Sequence, residues 1–375
     1  LNIGDLFHAS FGANALAETA VANGHSLGAE VFGAFMANPT EAIIFGLIFV
    51  ALTMLIVMGG VSGGIEKVCS VGMPALFVML LICIIRACTL EGAVDGLKYM
   101  FVPGWAVANG VIDKAPNFFG VLSAAGGQMF FSLSLGMGIM ITYGSYLDKK
   151  ENLQKNALLI IIMDTLVALM AGLCVIPGRF ALDPTGSLGG PKLLFVTMQN
   201  VFSRMGPIGP IFGILFYLLV VFAAISSSIS LLEAVVAHFV DNARDAGKGD
   251  KRKAYALIAA AAVGVGAVLI CADSLGDASF TPWRLLNLPA ESIRTWNDCW
   301  LDFFDMLSEG IMMPLGALMM TLMVGWELGP DVVKDECEAS GHAMASYGFY
   351  KVCIKYITPL CMILVLYGQI KEFFF

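Results

Sequence analysis

Charged residues are scarce in this sequence. Asp, Glu, Lys and Arg make up 13% of its 375 residues, whereas 58% are hydrophobic and the mean hydropathy is +0.82. A soluble domain carries about 25% charged residues. So few charges cannot cover a surface that faces water, and the composition therefore excludes a water-soluble enzyme.

Other kinds of chemistry are also missing. The formal net charge of −8 argues against a nucleic-acid partner, which would need a basic patch. The nine cysteines form no C-x-x-C pair, so the sequence predicts neither a zinc site nor a disulfide framework. No phosphate-binding loop and no nucleophile elbow occurs. We therefore expect no enzymatic activity and no organic cofactor.

Long uncharged runs are what the sequence has instead. A helix needs about 20 apolar residues to cross the hydrocarbon of a bilayer, and eight segments meet that requirement. The predicted spans lie near residues 41–59, 70–88, 119–146, 154–176, 208–240, 254–272, 305–326 and 348–370. The sequence therefore predicts an all-α polytopic membrane protein with a transmembrane bundle over residues 41–375.

The basic residues orient these spans. Lys and Arg cluster in the connections 147–155 and 241–253, and residues 1–40 contain neither. Because basic residues favour the cytoplasmic side, we place both connections there and residues 1–40 outside as an extracellular loop. Residues 1–40 contain no signal-peptide pattern, and the sequence starts with Leu1. We therefore expect that an odd number of N-terminal spans precedes it.

The third predicted span is too long for one crossing. Its centre, Gln128–Gly138, holds two serines and two glycines within seven residues. Glycine weakens a helix by about 1 kcal/mol relative to alanine, and small polar side chains offer the backbone other partners. Non-helical backbone at this depth occurs where it lines a cavity or is buried in protein. Either a discontinuous helix with a binding site at the break or helix packing through small residues fits this composition.

Two other spans carry polar residues at membrane depth. The segment Ala223–Glu233 holds four serines and a carboxylate, which fits either an alkali-cation site or hydrogen bonding between helices. Asp164 lies in the middle of an otherwise apolar span. A carboxylate there costs several kcal/mol unless it is protonated, paired or bound to a cation. Asp164 is therefore a candidate functional residue.

These polar segments resemble the neurotransmitter:sodium symporter family, in its bacterial amino-acid-transporter branch. The segments that carry the resemblance are Gly63–Lys67 with Met73-Pro74, Glu91–Lys98, Gly127–Gly138, Thr142–Tyr146, Phe195–Met198, Phe222–Ser228 and Tyr356–Pro359. The resemblance implies a LeuT-type inverted-repeat fold. It further implies that this sequence holds spans four to eleven of such a fold and lacks the first three.

The resemblance also implies roles for individual residues. It places ligands of the coupling ion Na⁺ at Ser132, Asp164, Ala223, Ser226 and Ser227. It places substrate contacts at Phe131, Ser134, Met137, Ser227 and Leu231. It places the outer gate at Gln128 and Asp305 and the inner gate at Tyr146 and Asp241.

The function that follows is sodium-coupled symport of an amino acid or related small solute by alternating access. A carboxylate at Asp164 would replace the chloride that balances charge in some relatives, so we expect transport to be independent of chloride. The partners expected are the substrate, the lipid bilayer and the missing N-terminal spans, in a multi-pass protein of a bacterial inner membrane. The alternatives are an inactive or regulatory membrane fragment, or a channel-like protein, although one clustered site does not favour a continuous pore.

Overall fold

The structure is a computed structural model. It describes residues 2–6, 16–185, 189–249, 251–276, 280–286, 298–339 and 341–374, and within these ranges the regular structure is helical, without strands. The α-helices are α1 (Asn2–Leu6), α2 (Ala17–Asn23), α3 (Leu27–Met36), α4 (Pro39–Met58), α5 (Glu66–Cys88), α6 (Ala93–Phe101), α7 (Trp105–Ala108), α8 (Phe118–Ser132), α9 (Ile139–Gly144), α10 (Leu153–Leu182), α11 (Gly190–Lys192), α12 (Met198–Arg204), α13 (Gly209–Asp245), α14 (Arg252–Asp273), α15 (Pro282–Leu286), α16 (Trp300–Asp305), α17 (Met313–Leu322), α18 (Asp331–Ala339), α19 (Tyr347–Val352) and α20 (Thr358–Phe374).

Tighter and wider helical turns join several of these helices. Short 3₁₀ turns occupy Gly206–Ile208 and Ser274–Gly276. The π-helical turns, in which each bond spans one extra residue, are Val61–Ile65, Leu193–Thr197, Met306–Met312, Met323–Glu327 and Cys353–Ile357. The segment Trp300–Glu327 is thus one continuous helical span that contains two π turns, and Tyr347–Lys371 is another that contains one.

Seven helices of the described residues are long and apolar enough to cross a membrane: Pro39–Met58, Gly63–Cys88, Leu153–Leu182, Gly206–Asp245, Arg252–Gly276, Trp300–Glu327 and Tyr347–Lys371. At most 22% of each apolar window is buried. Their outward faces therefore carry apolar side chains that suit a lipid environment. The segment predicted as an eighth span is divided between α8 and α9, and neither part alone is long enough to cross.

Two compact units make up the chain, and the first comprises Leu1–Ala115 and Leu166–Ile229. Its core brings together apolar side chains of α5, α10, α12 and α13 and of the residue that follows α12: Leu80, Cys83, Met170, Cys174, Met198, Val201, Phe202, Met205 and Phe216. At its edge, the side-chain amides of Asn2 and Gln199 exchange two hydrogen bonds, of 3.0 and 3.2 Å. The ring of Phe32 on α3 stacks on Phe195. The residues predicted as an extracellular loop therefore contain helices that pack on this core.

The second unit comprises Pro116–Thr165 and Ser230–Phe375. Its core consists of buried side chains from α8, α17 and α20: Phe130, Met313, Ala317 and Val365. The buried Gln369 amide on α20 donates to the Ser123 carbonyl of α8 at 3.2 Å. Because a buried amide needs a partner, this bond fixes α20 along α8. These three helices form the frame that holds the candidate site of this unit.

Candidate functional site

The interruption between α8 and α9 is a closed helix end. The amide of Leu135 donates to the Phe130 carbonyl at 2.8 Å, and the amide of Ser134 donates to the Phe131 carbonyl at 3.2 Å. Ser134 has a φ of 54°, in the left-handed region. This pair of bonds around a left-handed residue is the Schellman arrangement that terminates helices. The helix therefore stops within the predicted span through a hydrogen-bonded turn.

Two glycines shape the rest of the interruption. Gly136 and Gly138 have φ of 74° and 79°. A Cβ on Gly136 would lie 2.3 Å from the carbonyl oxygen of Met313, and a Cβ on Gly316 would lie 2.8 Å from that of Gly136. The interruption therefore packs backbone against backbone on α17, which glycine alone permits. A Cβ on Gly138 would have no atom within 4 Å, so the positive φ alone favours glycine at this position.

Ser132 and Asp164 meet where α8 ends. The Ser132 hydroxyl donates to Oδ1 of Asp164 at 2.7 Å, and both residues are half-buried. Hydroxyl and carboxylate oxygens are the ligands that hard cations prefer. Asp164 lies within the α10 span, where a carboxylate needs a partner. The structure brings these two predicted ligands together, and their role in binding sodium stays a prediction.

The second predicted ligand set lies on α13, in the first unit. The Ser226 hydroxyl donates to the Ala223 carbonyl oxygen at 2.9 Å, so two of the three predicted oxygens are adjacent. The third residue, Ser227, is exposed. Ser228 hydrogen-bonds instead with the buried Thr53 hydroxyl at 2.9 Å. One serine of this run therefore packs α13 against α4, as the alternative interpretation of the sequence expected.

The predicted substrate positions of the second unit surround the interruption or lie on α13. Phe131 and Leu231 expose large apolar side chains. Ser134 occupies the left-handed turn, and Met137 packs against the core that contains Phe130 and Met313. Ser227, the remaining predicted substrate contact, belongs to the first unit. None of these five side chains is charged.

The predicted outer-gate residues are accessible. Gln128 on α8 and Asp305 at the end of α16 are both exposed. Glu309 follows Asp305 one turn further along the span. The start of α16 is held by the Asp273 carboxylate, which accepts a bond from the Trp300 amide at 2.7 Å. Asp305 thus lies near the start of the Trp300–Glu327 span, and its role in an outer gate stays a prediction.

At the other end of this unit, Tyr146 binds a residue that the gate prediction did not include. The Tyr146 hydroxyl donates to Oε1 of Glu233 at 2.6 Å. The Arg252 guanidinium donates to Oε2 of the same carboxylate and forms an ion pair with it. Glu233 is 0% exposed. A buried carboxylate needs such partners because taking it out of water costs several kcal/mol.

Sequence reasoning identified Glu233 only as an unusual carboxylate in an apolar helix and did not find Arg252. A buried acid within a span is the signal that could have found the pair. Asp241, the other predicted inner-gate residue, lies two turns beyond Glu233 on α13 and is exposed. The inner-gate prediction therefore lacked two members of the cluster around Tyr146, namely Glu233 and Arg252.

The fold and this arrangement of helices are those of a multi-span membrane protein of the LeuT type. The chain belongs to the Sodium:neurotransmitter symporter family, whose profile it matches over residues 36–281. An uncharacterized sodium-dependent transporter of Bacillus subtilis is 32% identical over 340 residues, which cover 89% of this chain and 68% of that protein. A second uncharacterized sodium-dependent transporter, from Haemophilus influenzae, is 30% identical, with coverage of 88% and 65%.

A solved structure agrees with this assignment. The crystal structure of MhsT in complex with L-phenylalanine aligns with a TM-score of 0.73 and 30% sequence identity, over 91% of this chain and 71% of that chain. The chain spans 68% of the length of the Bacillus subtilis relative and 65% of the length of the Haemophilus influenzae relative. The family is one of transporters, which confirms the expectation that the protein is not an enzyme.

Proposed function

We propose that the full-length protein is a sodium-coupled symporter that carries an apolar or aromatic amino acid into the cell across a bacterial inner membrane. The observation that carries this proposal is the contact between Ser132 and Asp164 at the end of α8. It supplies two oxygen ligands, one of them anionic, at membrane depth. In this proposal, Na⁺ is a cargo of the transporter, bound first by these oxygens and then released with the substrate.

The chemistry of the predicted substrate positions supports the substrate class. Phe131, Met137 and Leu231 are apolar, and Ser134 adds one hydroxyl. An acidic or basic side chain of the substrate would find no charged partner among them, and a charge without a partner is costly in such a place. MhsT, the solved relative, binds L-phenylalanine. An apolar or aromatic amino acid is therefore the substrate class that we propose.

Asp164 also supports independence of chloride. A carboxylate beside a bound cation provides a fixed negative charge that needs no mobile anion. The Ser132 hydroxyl holds one carboxylate oxygen in place, so the charge is oriented before the ion arrives. Transport should then proceed at the same rate when gluconate replaces chloride.

The test uses the full-length protein reconstituted in proteoliposomes, with uptake of radiolabelled phenylalanine driven by a sodium gradient. Asp164→Asn keeps the shape of the side chain and removes its charge. We expect sodium-driven uptake to fall by tenfold or more, since an interaction with a charged group contributes about 1.5–3 kcal/mol. Asp148→Asn, in an exposed connection, is the matched control and should transport normally.

Two results would contradict the proposal. Normal sodium dependence in Asp164→Asn would show that the carboxylate is not a ligand. A native protein that stops transporting without chloride would show that Asp164 does not supply the balancing charge. Uptake of an acidic or basic amino acid in preference to phenylalanine would contradict the substrate class alone.

We further assign the cluster of Tyr146, Glu233 and Arg252 to the closing of the cytoplasmic end. The basic connection 241–253, which contains Arg252, is predicted to be cytoplasmic. The ion pair joins α13 to the first turn of α14, and the Tyr146 hydroxyl joins it to the segment after α9. Opening a path to the cytoplasm here would require these contacts to separate. We keep the predicted inner-gate role of Asp241, which lies two turns beyond Glu233 on α13.

A further inference from the structure

Two π-helical turns pack against each other near the ends of their spans, Met323–Glu327 at the end of one and Cys353–Ile357 near the start of the other. Gly325, in Met323–Glu327, lies so close to Cys353–Ile357 that a Cβ would be 2.9 Å from the Ile354 carbonyl oxygen. The Trp326 indole donates to the Lys355 carbonyl at 3.1 Å, and the Tyr356 ring meets Trp326 edge-on. These contacts hold the indole in place although it is 58% exposed. An exposed, oriented tryptophan at the end of a span is typical of the membrane interface.

A cavity of about 520 Å³ opens beside this tryptophan. It is lined by Met319, Met320, Leu322, Met323, Trp326 and Glu327. Methionine side chains are flexible and polarizable and adapt to irregular apolar ligands. A surface of this kind fits an acyl chain better than a rigid polar molecule.

Three lysines lie around the same corner. The Lys355 ammonium lies 5.4 Å from the centre of the Trp326 ring, and those of Lys334 and Lys351 lie 5.3 and 5.7 Å from the Tyr347 ring. No carboxylate of the described residues comes within 4.0 Å of these three ammonium groups. Their charges are therefore available to an anion at the rim of the cavity.

The charge of Asp331 offsets only part of the charge of these three lysines. The Tyr347 hydroxyl donates to Asp331. That bond is the largest cause that holds the pKa of the Asp331 carboxyl below its ordinary value, and the ammonium groups of Lys351, Lys334 and Lys355 lower it further. The carboxylate stays charged when it accepts a hydrogen bond from the phenol, so it offsets one of the three positive charges and these four groups keep an excess of two.

The side of the membrane favours the same ligand. Connection 241–253 is predicted to be cytoplasmic, and two spans, α14 and Trp300–Glu327, separate it from Lys334. The three lysines therefore lie on the cytoplasmic side. The cytoplasmic leaflet carries anionic lipids, and basic pockets between spans bind their head groups.

We propose that this corner binds one anionic phospholipid, with an acyl chain in the methionine-lined cavity and the phosphate on Lys351 and Lys355. Lys334 contributes a third positive charge. Trp326 lies between the two parts of the lipid, at the depth where head group and chain join. Bound in this way, the lipid connects the α17 and α20 spans at the point where their π turns touch.

The test measures quenching of Trp326 fluorescence by lipids with brominated acyl chains. The full-length protein is placed in phosphatidylcholine vesicles with a minor fraction of brominated phosphatidylglycerol or brominated phosphatidylcholine. The Trp326 contribution is the difference between the native protein and Trp326→Phe. Each lysine near an anionic lipid favours it by a factor of about five, so with two lysines on the phosphate the preference for phosphatidylglycerol over phosphatidylcholine at equal fraction should be about 25-fold.

Two variants identify the source of this preference. Lys351→Gln with Lys355→Gln should make the two brominated lipids equal. The matched control, Lys149→Gln with Lys150→Gln in another predicted cytoplasmic connection, should keep the preference. If Trp326→Phe does not fold, native mass spectrometry of retained phosphatidylglycerol in the native and lysine variants replaces the fluorescence difference.

Three outcomes would overturn the proposal. Equal quenching by both lipids in the native protein would exclude selection of the head group. A preference that survives in the double lysine variant would exclude these ammonium groups. Absence of quenching by either lipid would show that another part of the protein covers Trp326.

Discussion

Removing the Arg252 charge should destabilise the protein far more than its place in the first turn of α14 suggests. Glu233 is 0% exposed, so Arg252→Met would leave a buried carboxylate that keeps its hydrogen bond from the Tyr146 hydroxyl but has lost its ion pair. Breaking a buried ion pair by removal of one member costs about 3–5 kcal/mol. The middle of that range corresponds to a roughly thousandfold change in the unfolding equilibrium, since about 1.4 kcal/mol is a factor of ten.

The partner substitution should cost less. Glu233→Gln keeps the size of the side chain and removes its charge, and the Arg252 side chain is 17% exposed, so water reaches the guanidinium. We expect a loss of about 1–3 kcal/mol from the weakened hydrogen bonds. The double variant leaves no buried charge, and its cost should therefore fall short of the sum of the two single costs by about 2 kcal/mol.

The assay is reversible unfolding of the full-length protein in mixed micelles by titration with dodecyl sulfate, followed by circular dichroism. Lys253→Met, at the exposed neighbouring position, is the matched control and should change the free energy of unfolding by less than about 0.5 kcal/mol. Additive costs in the double variant, or an equal loss in the control, would refute the view that a buried ion pair holds this end of the molecule.

Three further changes address other parts of the site. Gly136→Ala should lower the free energy of unfolding by more than about 3 kcal/mol, because its Cβ would meet the Met313 carbonyl. Gly138→Ala should lower it by about 1–2 kcal/mol, from backbone strain alone. Equal losses in the two variants on chemical unfolding would disprove the close packing at Gly136. Ser226→Ala with Ser227→Ala should weaken sodium-dependent binding of phenylalanine by about tenfold or more, measured by scintillation proximity, and unchanged sodium dependence would leave these serines as packing residues. Asp305→Asn should lower the rate of uptake more than it lowers the free energy of unfolding, and normal uptake kinetics would exclude a gating role.

The spans could be predicted because the bilayer constrains them strongly. Every backbone group in the hydrocarbon needs an internal partner, so a run of about 20 apolar residues has to be a helix. That argument gave the seven continuous spans within a few residues of most of their ends. The exceptions are two spans that begin earlier than predicted, at Gly63 and Trp300, and two that end later, α10 at Leu182 and α13 at Asp245. The length of an apolar run does not show how far a helix continues beyond the hydrocarbon. Polar residues outside the hydrocarbon can continue the backbone hydrogen bonds of the same helix.

The interruption at residues 133–138 was predictable in place but not in form. Serine and glycine composition indicates weak helix, and it leaves the choice between a break and close packing open. The structure shows both at once, because the left-handed turn at Ser134 ends the helix and Gly136 packs closely on Met313. Gly136 and Met313 are 177 positions apart in the sequence, and no local sequence pattern encodes a contact over such a separation.

The same limit explains the cluster around Glu233. Asp164 and Ser132 were predicted together because a family resemblance places both at one ion. Glu233 had no such assignment, and its partner Arg252 is one of five basic residues in the connection 241–253. Only the positions of α13 and α14 in the fold decide which of these basic residues pairs with Glu233.

The π turns have a consequence for comparing this chain with its relatives. A π turn holds one residue more than an α turn, so the side chains after it are rotated by about 100° about the helix axis. Loss of one residue within Met306–Met312, Met323–Glu327 or Cys353–Ile357 would convert the turn to an α turn and leave the flanking helices in their places. Single-residue gaps in an alignment therefore belong inside these spans as well as in the connections. A gap moved from a π turn to the nearest loop would assign every intervening side chain to the wrong face of its helix.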